Sequence, residues 1–502
     1  MRAPQIVIFT DVSSPGFGRY AGTYRIATEL RNHGYSVQVI EYFTHWSTKE
    51  LKDIVKYFVT KDTLLVGIST TFLLNEMLRT RTDIQKIKDK YGNYNDEGAR
   101  LSQYLGRPDW PEIYDTIKER NSKTQIMIGG HKAGKFEPGP YIDRVILGEG
   151  EESVLNLCKQ LYSEAPSNSK HIKIQYKRFT TSSIRYEPND LIFQGEHLPI
   201  EIARGCIFKC SFCSYALNGK KLWEFNRTPE LVVDDLRHAY DNYGSEGFMF
   251  CDDTYNDSVE KVRTYHKAFK KLPFDQTFSG YARADLIISH PETMDMLYES
   301  GLRSVFFGIE SLNHPTGKRI GKGMHPEKMK EGLYRMKEKW PDVIMSCGLI
   351  VGLPEDTEET LRKNNEWFLQ DDCPVQYPSY YPLYVAPSTP GGGLYGKASD
   401  KNSKIGDNPF SFGYEVDQHG NWKSQWMDRN KAVQLTEELK QTVGDLPGHE
   451  NQPESAAWVF FNRMQNIGYT PEDLVQGNVT QDDVVIRENK LKSEYKDKLG
   501  TL

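Results

Sequence analysis

Over the first 165 residues, short apolar runs alternate with stretches whose apolar positions recur at helical spacing. The runs "PQIVIFT" (4–10), "YSVQVIEY" (35–42), "TLLVGIST" (63–70), "TQIMIGG" (124–130) and "DRVILGEG" (143–150) read as buried strands. Between them, "GTYRIATELRNHG" (22–34), "KELKDIVKYFV" (49–59) and "PEIYDTIKERN" (111–121) read as helices, and "EESVLNLCKQLY" (151–162) closes the series. Its acidic start suits the positive end of a helix dipole. Strands that alternate with helices predict a parallel, doubly wound α/β sheet. A polar stretch then predicts a linker over 166–195.

A second, more regular alternation begins near residue 196. Its strands are "LPIEIAR" (198–204), "GFMFCDD" (247–253), "TFSGYARA" (277–284), "SVFFGIES" (304–311), "VIMSCGLIVG" (343–352) and "VQYPSYYPLYV" (375–385). Helices separate them near 228–244, 258–272, 291–300, 326–340 and 357–370, the first with Thr228 as N-cap and Pro229 in the first turn. Six such repeats predict an open, partial βα barrel over 196–390, with the active site on the loops that leave the strands' C-terminal ends. The remainder, 391–502, starts in a Gly-rich loop and continues as helices at "DRNKAVQLTEELKQTV" and "ESAAWVFFNRMQNIG"; Trp422, Trp426, Trp458 and Phe460 are expected to pack them on the barrel. The charged tail from about 478 is expected to fray.

Composition narrows the classes. With 502 residues the chain has material for two to four domains. No apolar run approaches the roughly 18 residues of a membrane span, and "IVIFT" is too short for a signal peptide, so a cytoplasmic protein is expected. A net charge of -6 disfavours nucleic acid as partner. Seven cysteines are too few for a disulfide scaffold of this size and suit a reducing compartment.

Three of those cysteines, Cys206, Cys210 and Cys213, stand at C-x3-C-x2-C in "RGCIFKCSFC", on the loop leaving the first barrel strand. A structural zinc takes four ligands, and no nearby Cys or His completes the set. Three thiolates do suit a cubic four-iron cluster with one iron left open. The alternatives are a zinc site or an incidental group of thiols. Cys158, Cys251, Cys347 and Cys373 read as small buried hydrophobes, and His33, His45 and His131 as isolated surface or turn residues.

The motif resembles the signature of the radical S-adenosylmethionine (SAM) superfamily, including Phe212 before the third cysteine. The resemblance covers about residues 196–390. It implies that Cys206, Cys210 and Cys213 bind three irons of a 4Fe-4S cluster, that SAM chelates the fourth, and that an external flavodoxin or ferredoxin type donor supplies the electron that cleaves SAM to a 5'-deoxyadenosyl radical. By the same resemblance "GLIVGLPE" supplies Gly348, Ile350, Gly352 and Glu355 near adenine. Glu310 in "FGIES" and Arg283 in "YARADL" resemble contacts to the SAM ribose or carboxylate, and Asp252 and Asp253 in "CDDT" lie where the amino group needs an acceptor.

An α/β domain ahead of such a barrel resembles the cobalamin-binding branch of that superfamily, with a Rossmann or flavodoxin-like domain at 1–165. "IMIGGHKAG" is similar to the branch's Gly-Gly-Pro-His turn, with Lys132 interrupting the likeness, and "DRVILGEGEESV" looks like its Gly-Glu-Gly-Glu strand. The resemblance implies that Ser69, Thr70, Gly129 and Gly130 approach the corrin or its nucleotide tail. "DVSSPG" keeps the frame of the D-x-H-x-x-G cobalamin motif through Asp11, Ser13 and Gly16, but Ser13 replaces the His that would ligate cobalt. A hydroxyl is a poor substitute for imidazole, so cobalamin, if bound, is expected without a His from this motif. The expected activity is a cobalamin-dependent methyl transfer to an unactivated carbon. The alternatives are a ring-forming or oxidative enzyme like the anaerobic Mg-protoporphyrin monomethyl ester cyclase, and a non-catalytic metal-binding scaffold. The substrate is not legible.

Overall fold

Both alternations fold as parallel sheets with helices on their faces. The computed structural model describes residues 3–12, 16–43, 46–69, 109–130, 133, 139–162, 171–172, 179–213, 217–385, 404–405, 409–417, 420–444 and 461–500. Two units are present: Met1–Ser14, Arg19–Phe193 and Lys492–Leu502 make the first, and Pro15–Gly18 with Gln194–Leu491 the second.

In the first unit, strands β1 (Ile6–Phe9), β2 (Val37–Ile40), β3 (Leu65–Ser69), β4 (Gln125–Gly129), β5 (Arg144–Ile146) and β6 (His171–Ile172) form one sheet in the order β2-β1-β3-β4-β5-β6. All pairings are parallel. Their side chains are buried nearly throughout, as expected of strands covered on both faces. Helix α1 (Ala21–Asn32) lies against α4 (Gly150–Tyr162), and α2 (Thr48–Phe58) against α3 (Trp110–Arg120). A capping box starts α2: Ser47 Oγ accepts from Glu50 N, and Glu50 answers by accepting from Ser47 N at 2.8 Å. The order 2-1-3-4-5 is that of flavodoxin-like sheets, whose ligand crevice opens between β1 and β3 at the carboxyl edge.

Residues 179–193, read from the sequence as linker, are packed into this unit. Arg31 forks onto Asp190 at 2.7 and 2.8 Å; Arg19 donates to the Asp190 and Leu191 carbonyls, and Arg25 to Ser182. Arg19, just before α1, and Arg25 and Arg31 on it demanded acceptors, and this segment supplies them.

The second unit is a six-stranded parallel sheet in the order β12-β11-β10-β9-β8-β7, the open barrel that six repeats predict. Its strands are β7 (Leu198–Ile200), β8 (Gly247–Phe250), β9 (Thr277–Ala282), β10 (Leu302–Glu310), β11 (Ile344–Val351) and β12 (Tyr377–Pro382). The helices are α5 (Pro229–Tyr243), α6 (Val259–Phe269), α7 (Ala284–Ser289), α8 (Glu292–Glu299), α9 (His314–Ile320), α10 (Pro326–Lys339) and α11 (Glu358–Phe368). Thr228 does sit at the N-cap of α5, but its side chain makes no capping bond. Alternation sorts the strand residues: Phe250, Phe278 and Phe307 are buried, and Phe250 stacks on Phe278 at 4.2 Å. Tyr281, Phe306, Gly308 and Glu310, of the opposite parity, are only half-buried.

The C-terminal region covers this sheet. Helix α12 (Arg429–Gly444) packs on β12 and β11, and α13 (Phe461–Asn466) on β8 and β9. Trp422 is buried as expected, Trp426 is half-buried near Gly413, and Trp458 and Phe460 lie outside the described residues. After α14 (Pro471–Gln476) the tail does not fray: it forms α15 (Gln481–Leu499), with Tyr495 and Leu499 buried. In the first unit the Tyr495 hydroxyl accepts from Glu41 N at 3.2 Å, and its ring meets Tyr42 edge to face.

Candidate active site around the cysteine loop

The loop that leaves β7 is built by crossings of its own backbone. Gly205 stands at φ 72°, and a Cβ there would lie 2.2 Å from the Leu217 carbonyl oxygen. Only glycine lets the two strands of the loop pass. Cys206 is then held at both ends: its N–H donates to Leu217 O at 3.0 Å, and its carbonyl accepts from Gly219 and Lys220. Ser211 N donates to Ile320 O at 3.1 Å, next to Cys210, and Cys213 N turns back to Cys210 O at 3.1 Å. On the far side Ile405 N donates to Ser211 O, and the Lys404 ammonium donates to the Cys213 carbonyl at 2.8 Å. Cys210 is buried, Cys206, Phe212 and Cys213 are half-buried, and no sulfur is in a disulfide.

Arg283, at the end of β9, reaches this loop. Its Nη1 lies 3.4 Å from Cys210 Sγ, and its guanidinium lies 4.0 Å from the centre of the Phe208 ring. Nε and Nη2 fork onto Asp285 at 3.0 and 2.6 Å. The backbone of Arg283 is fixed by Asn256, which accepts from Arg283 N at 2.8 Å and donates to its carbonyl at 3.0 Å.

The two aspartates after β8 divide their work. Asp252 is buried, and one oxygen accepts from the N–H groups of Ile202 and Ala203 at 2.8 and 3.1 Å, while the other takes Lys261 at 3.2 Å. It staples the root of the cysteine loop to β8. Asp253 accepts from Gly205 N; burial and the adjacent Asp252 push its carboxyl up to about 6. Asp257, also buried, has no hydrogen bond to either carboxylate oxygen, with Lys261 4.0 Å away. It lines a cavity of about 250 Å³ shared with Ile207, Phe208, Leu286 and His290.

Glu310 ends β10 at φ 69° and lies 3.8 Å from Lys322, whose ammonium also donates to Gly308 O at 2.6 Å. Only 14% of its side chain reaches water, and its carboxylate lies over the bare backbone of Gly308. Burial pushes its pKa up, against the attraction of Lys322 and Arg283. The structure thus brings Cys210, Arg283 and Glu310 into one neighbourhood.

The "GLIVG" residues are arranged differently from simple bare backbone. A Cβ on Gly348 would meet the Phe306 ring at 2.9 Å, and one on Gly352, at φ 102°, would meet Trp422 at 2.5 Å. Side chains of the chain itself occupy the space these glycines leave. Ile350 is half-buried on the same face as Gly348, whereas Glu355 is exposed. Neither Phe208 nor Trp422 was marked as a site contact in the sequence; an aromatic inside "CIFKC" was the available signal for the first.

In the first unit, Ser69 and Gly129 are register partners at the carboxyl ends of β3 and β4, Gly130 follows at φ 111°, and Asp11 is buried just after β1. Gly16 counts with the second unit, where a Cβ on it would press on Arg463 at 3.0 Å. Ser13 and Thr70 lie outside the described residues.

Residues 200–368 match the family described as the radical SAM superfamily. The barrel is a radical SAM domain. Among curated proteins, the chain is 26% identical over 274 residues to an uncharacterized methyltransferase of Pyrococcus horikoshii, covering 48% of this chain and 57% of that one. It is 23% identical over 280 residues to the anaerobic magnesium-protoporphyrin IX monomethyl ester cyclase of Rubrivivax gelatinosus, covering 49% of each. The chain thus spans about half the length of these curated relatives. Among solved structures, the radical SAM methyltransferase TsrM of Kitasatospora setae, with cobalamin and a [4Fe-4S] cluster bound, has a TM-score of 0.58 at 15% identity, covering 97% of this chain and 100% of that chain. That likeness extends the shared fold from the radical SAM domain over nearly the whole chain.

Proposed function

We propose that the protein is a radical SAM enzyme that binds a 4Fe-4S cluster, SAM and cobalamin and transfers a methyl group to an unactivated carbon. The observation that carries this reading is the loop with Cys206, Cys210 and Cys213 at the C-terminal end of the first strand of an open six-stranded barrel. The donor set fits a cluster: three thiols free of disulfides, on one strapped loop, with a guanidinium N–H directed at one sulfur. Bound there, such a cluster supplies the electron that cleaves SAM to a carbon radical, while cobalamin carries the methyl group. Asp253, after β8, and Glu310, at the end of β10, are the carboxyls offered to polar groups of SAM, and Ile350 offers an apolar surface beside Gly348. Asp252 is engaged in holding the loop, which favours Asp253 over it as the amino-group acceptor. For cobalamin, Ser69 and Gly129 at the carboxyl ends of β3 and β4, with Gly130 after them, support the reading, together with the fold shared with TsrM. The electron would come from an external flavodoxin or ferredoxin type donor.

The experiment is reconstitution without oxygen, followed by incubation with SAM, dithionite and hydroxocobalamin. Iron-sulfur absorbance that the triple Cys206→Ala, Cys210→Ala, Cys213→Ala variant lacks, with both 5'-deoxyadenosine and S-adenosylhomocysteine formed, is the expected result. Deoxyadenosine without S-adenosylhomocysteine favours the second reading, a ring-forming or oxidative enzyme, which rests on the similarity to the protoporphyrin ester cyclase. No absorbance and neither product would leave the chain a scaffold.

A further inference from the structure

Arg283 stands where the sequence suggests a contact to SAM, yet its donors are engaged elsewhere. All three guanidinium nitrogens have partners: Nε and Nη2 on Asp285, Nη1 on Cys210 Sγ. The plane of the group lies against Phe208, and only 7% of the side chain reaches water. This is a guanidinium fixed by a carboxylate fork, an aromatic face and a reciprocal backbone bond to Asn256, with one N–H left for a sulfur.

We propose that Arg283 sets the reduction potential of the iron-sulfur cluster held by Cys206, Cys210 and Cys213, through its hydrogen bond to the Cys210 sulfur. The inference rests on reading those cysteines as cluster ligands. When one electron passes from an external reductant to the cluster, negative charge on the thiolate sulfurs increases. An N–H donor and a positive charge at 3.4 Å stabilise that reduced form more than the oxidised one, and hydrogen bonds to sulfur are among the features that set such potentials. Asp285 limits the effect, since its charge opposes that of the guanidinium, while its fork keeps the N–H aimed at the sulfur. The pair therefore acts as a graded control: removing the cation lowers the potential, and removing the anion raises it. A group that served SAM binding alone would shift neither in the absence of SAM.

The test is a mediated dithionite titration of the reconstituted full-length protein without SAM, read by low-temperature electron paramagnetic resonance, with iron content measured on each sample. In Arg283→Gln the ratio of reduced to oxidised cluster at fixed potential should fall about tenfold, or about 59 mV for a one-electron couple. Asp285→Asn should move the midpoint the opposite way, and Arg283→Lys should fall between wild type and Arg283→Gln. Unchanged midpoints at full iron content would overturn the proposal. If Arg283→Gln does not load iron, the shifts in Asp285→Asn and Arg283→Lys decide, and their absence overturns it equally. A wild-type protein that takes up no iron instead defeats the underlying reading of the cysteines, an outcome visible before any potential is measured.

Discussion

Asp252 and Lys261 meet at 3.2 Å with both side chains closed off from water, and the same carboxylate holds the N–H groups of Ile202 and Ala203. Replacing one partner strands the other as a buried charge, which typically costs about 3–5 kcal/mol. Lys261→Met should lose stability on that scale in urea unfolding of the iron-free protein, and the Asp252→Asn, Lys261→Met double variant should recover part of it. A loss under about 1 kcal/mol in the single variant would contradict the assigned role.

Gly352 leaves room for Trp422, whose indole N–H donates to Leu383 O at 2.9 Å, while Tyr414 donates to the Gly352 carbonyl at 2.7 Å. Gly352→Ala forces a methyl into the indole and strains a backbone at φ 102°. Overpacking of this kind costs about 1–3 kcal/mol. The variant should unfold at lower urea, and the displaced indole should emit at longer wavelength than in wild type; matching spectra and midpoints would refute the packing argument.

Asp356 is buried behind α9, where it accepts from Thr316 and Ser311 at 3.0 and 3.2 Å. Burial pushes its carboxyl up to about 7 against those hydrogen bonds, with Glu355 adding to the rise. The folded chain keeps this proton up to about pH 7, whereas an unfolded Asp releases it near 4. Stability from this group therefore falls as pH rises through that window. Asp356→Asn should show a shallower decline in melting temperature between pH 5 and 8, and parallel curves for the two proteins would count against the assignment.

His197 gives the opposite slope. Its ring packs on the bare face of Gly247, Asn462 Nδ2 lies 3.2 Å from Nδ1, and burial pushes the imidazole down to about 4. Unfolded His takes up a proton near 6.5, the folded ring only near 4, so stability is lost as pH falls between those values. His197→Gln should be less stable than wild type at pH 7 through lost packing. The gap should narrow toward pH 5 in thermal melts; a constant gap would mean that the ring does not titrate as assigned.

The strands were legible because most are short apolar runs bounded by polar turns, and every predicted run in both units overlaps a strand. Their C-terminal limits were not: "LPIEIAR" ends as strand at Ile200 because Asp252 draws the N–H groups of Ile202 and Ala203 out of the ladder. Helix α15 was missed because its apolar residues are spaced among charges and are buried only by tertiary partners such as Glu41 and Tyr42. In the site, the cysteines stood out by their spacing, and the polar strand ends by the family resemblance of their motifs. Which of two adjacent aspartates braces the scaffold, and that Arg283 turns to a sulfur, depend on side-chain directions that spacing does not encode.

The anchors of the cysteine loop include Leu217, Ile320 and Ile405, so the loop is held by residues far apart in the chain. During synthesis the thiols emerge long before the segments that shape their surroundings. On the proposed reading, loading of a cluster would accordingly be a late event: the nascent chain carries the thiols, but their surroundings are complete only once residue 405 has left the ribosome and docked.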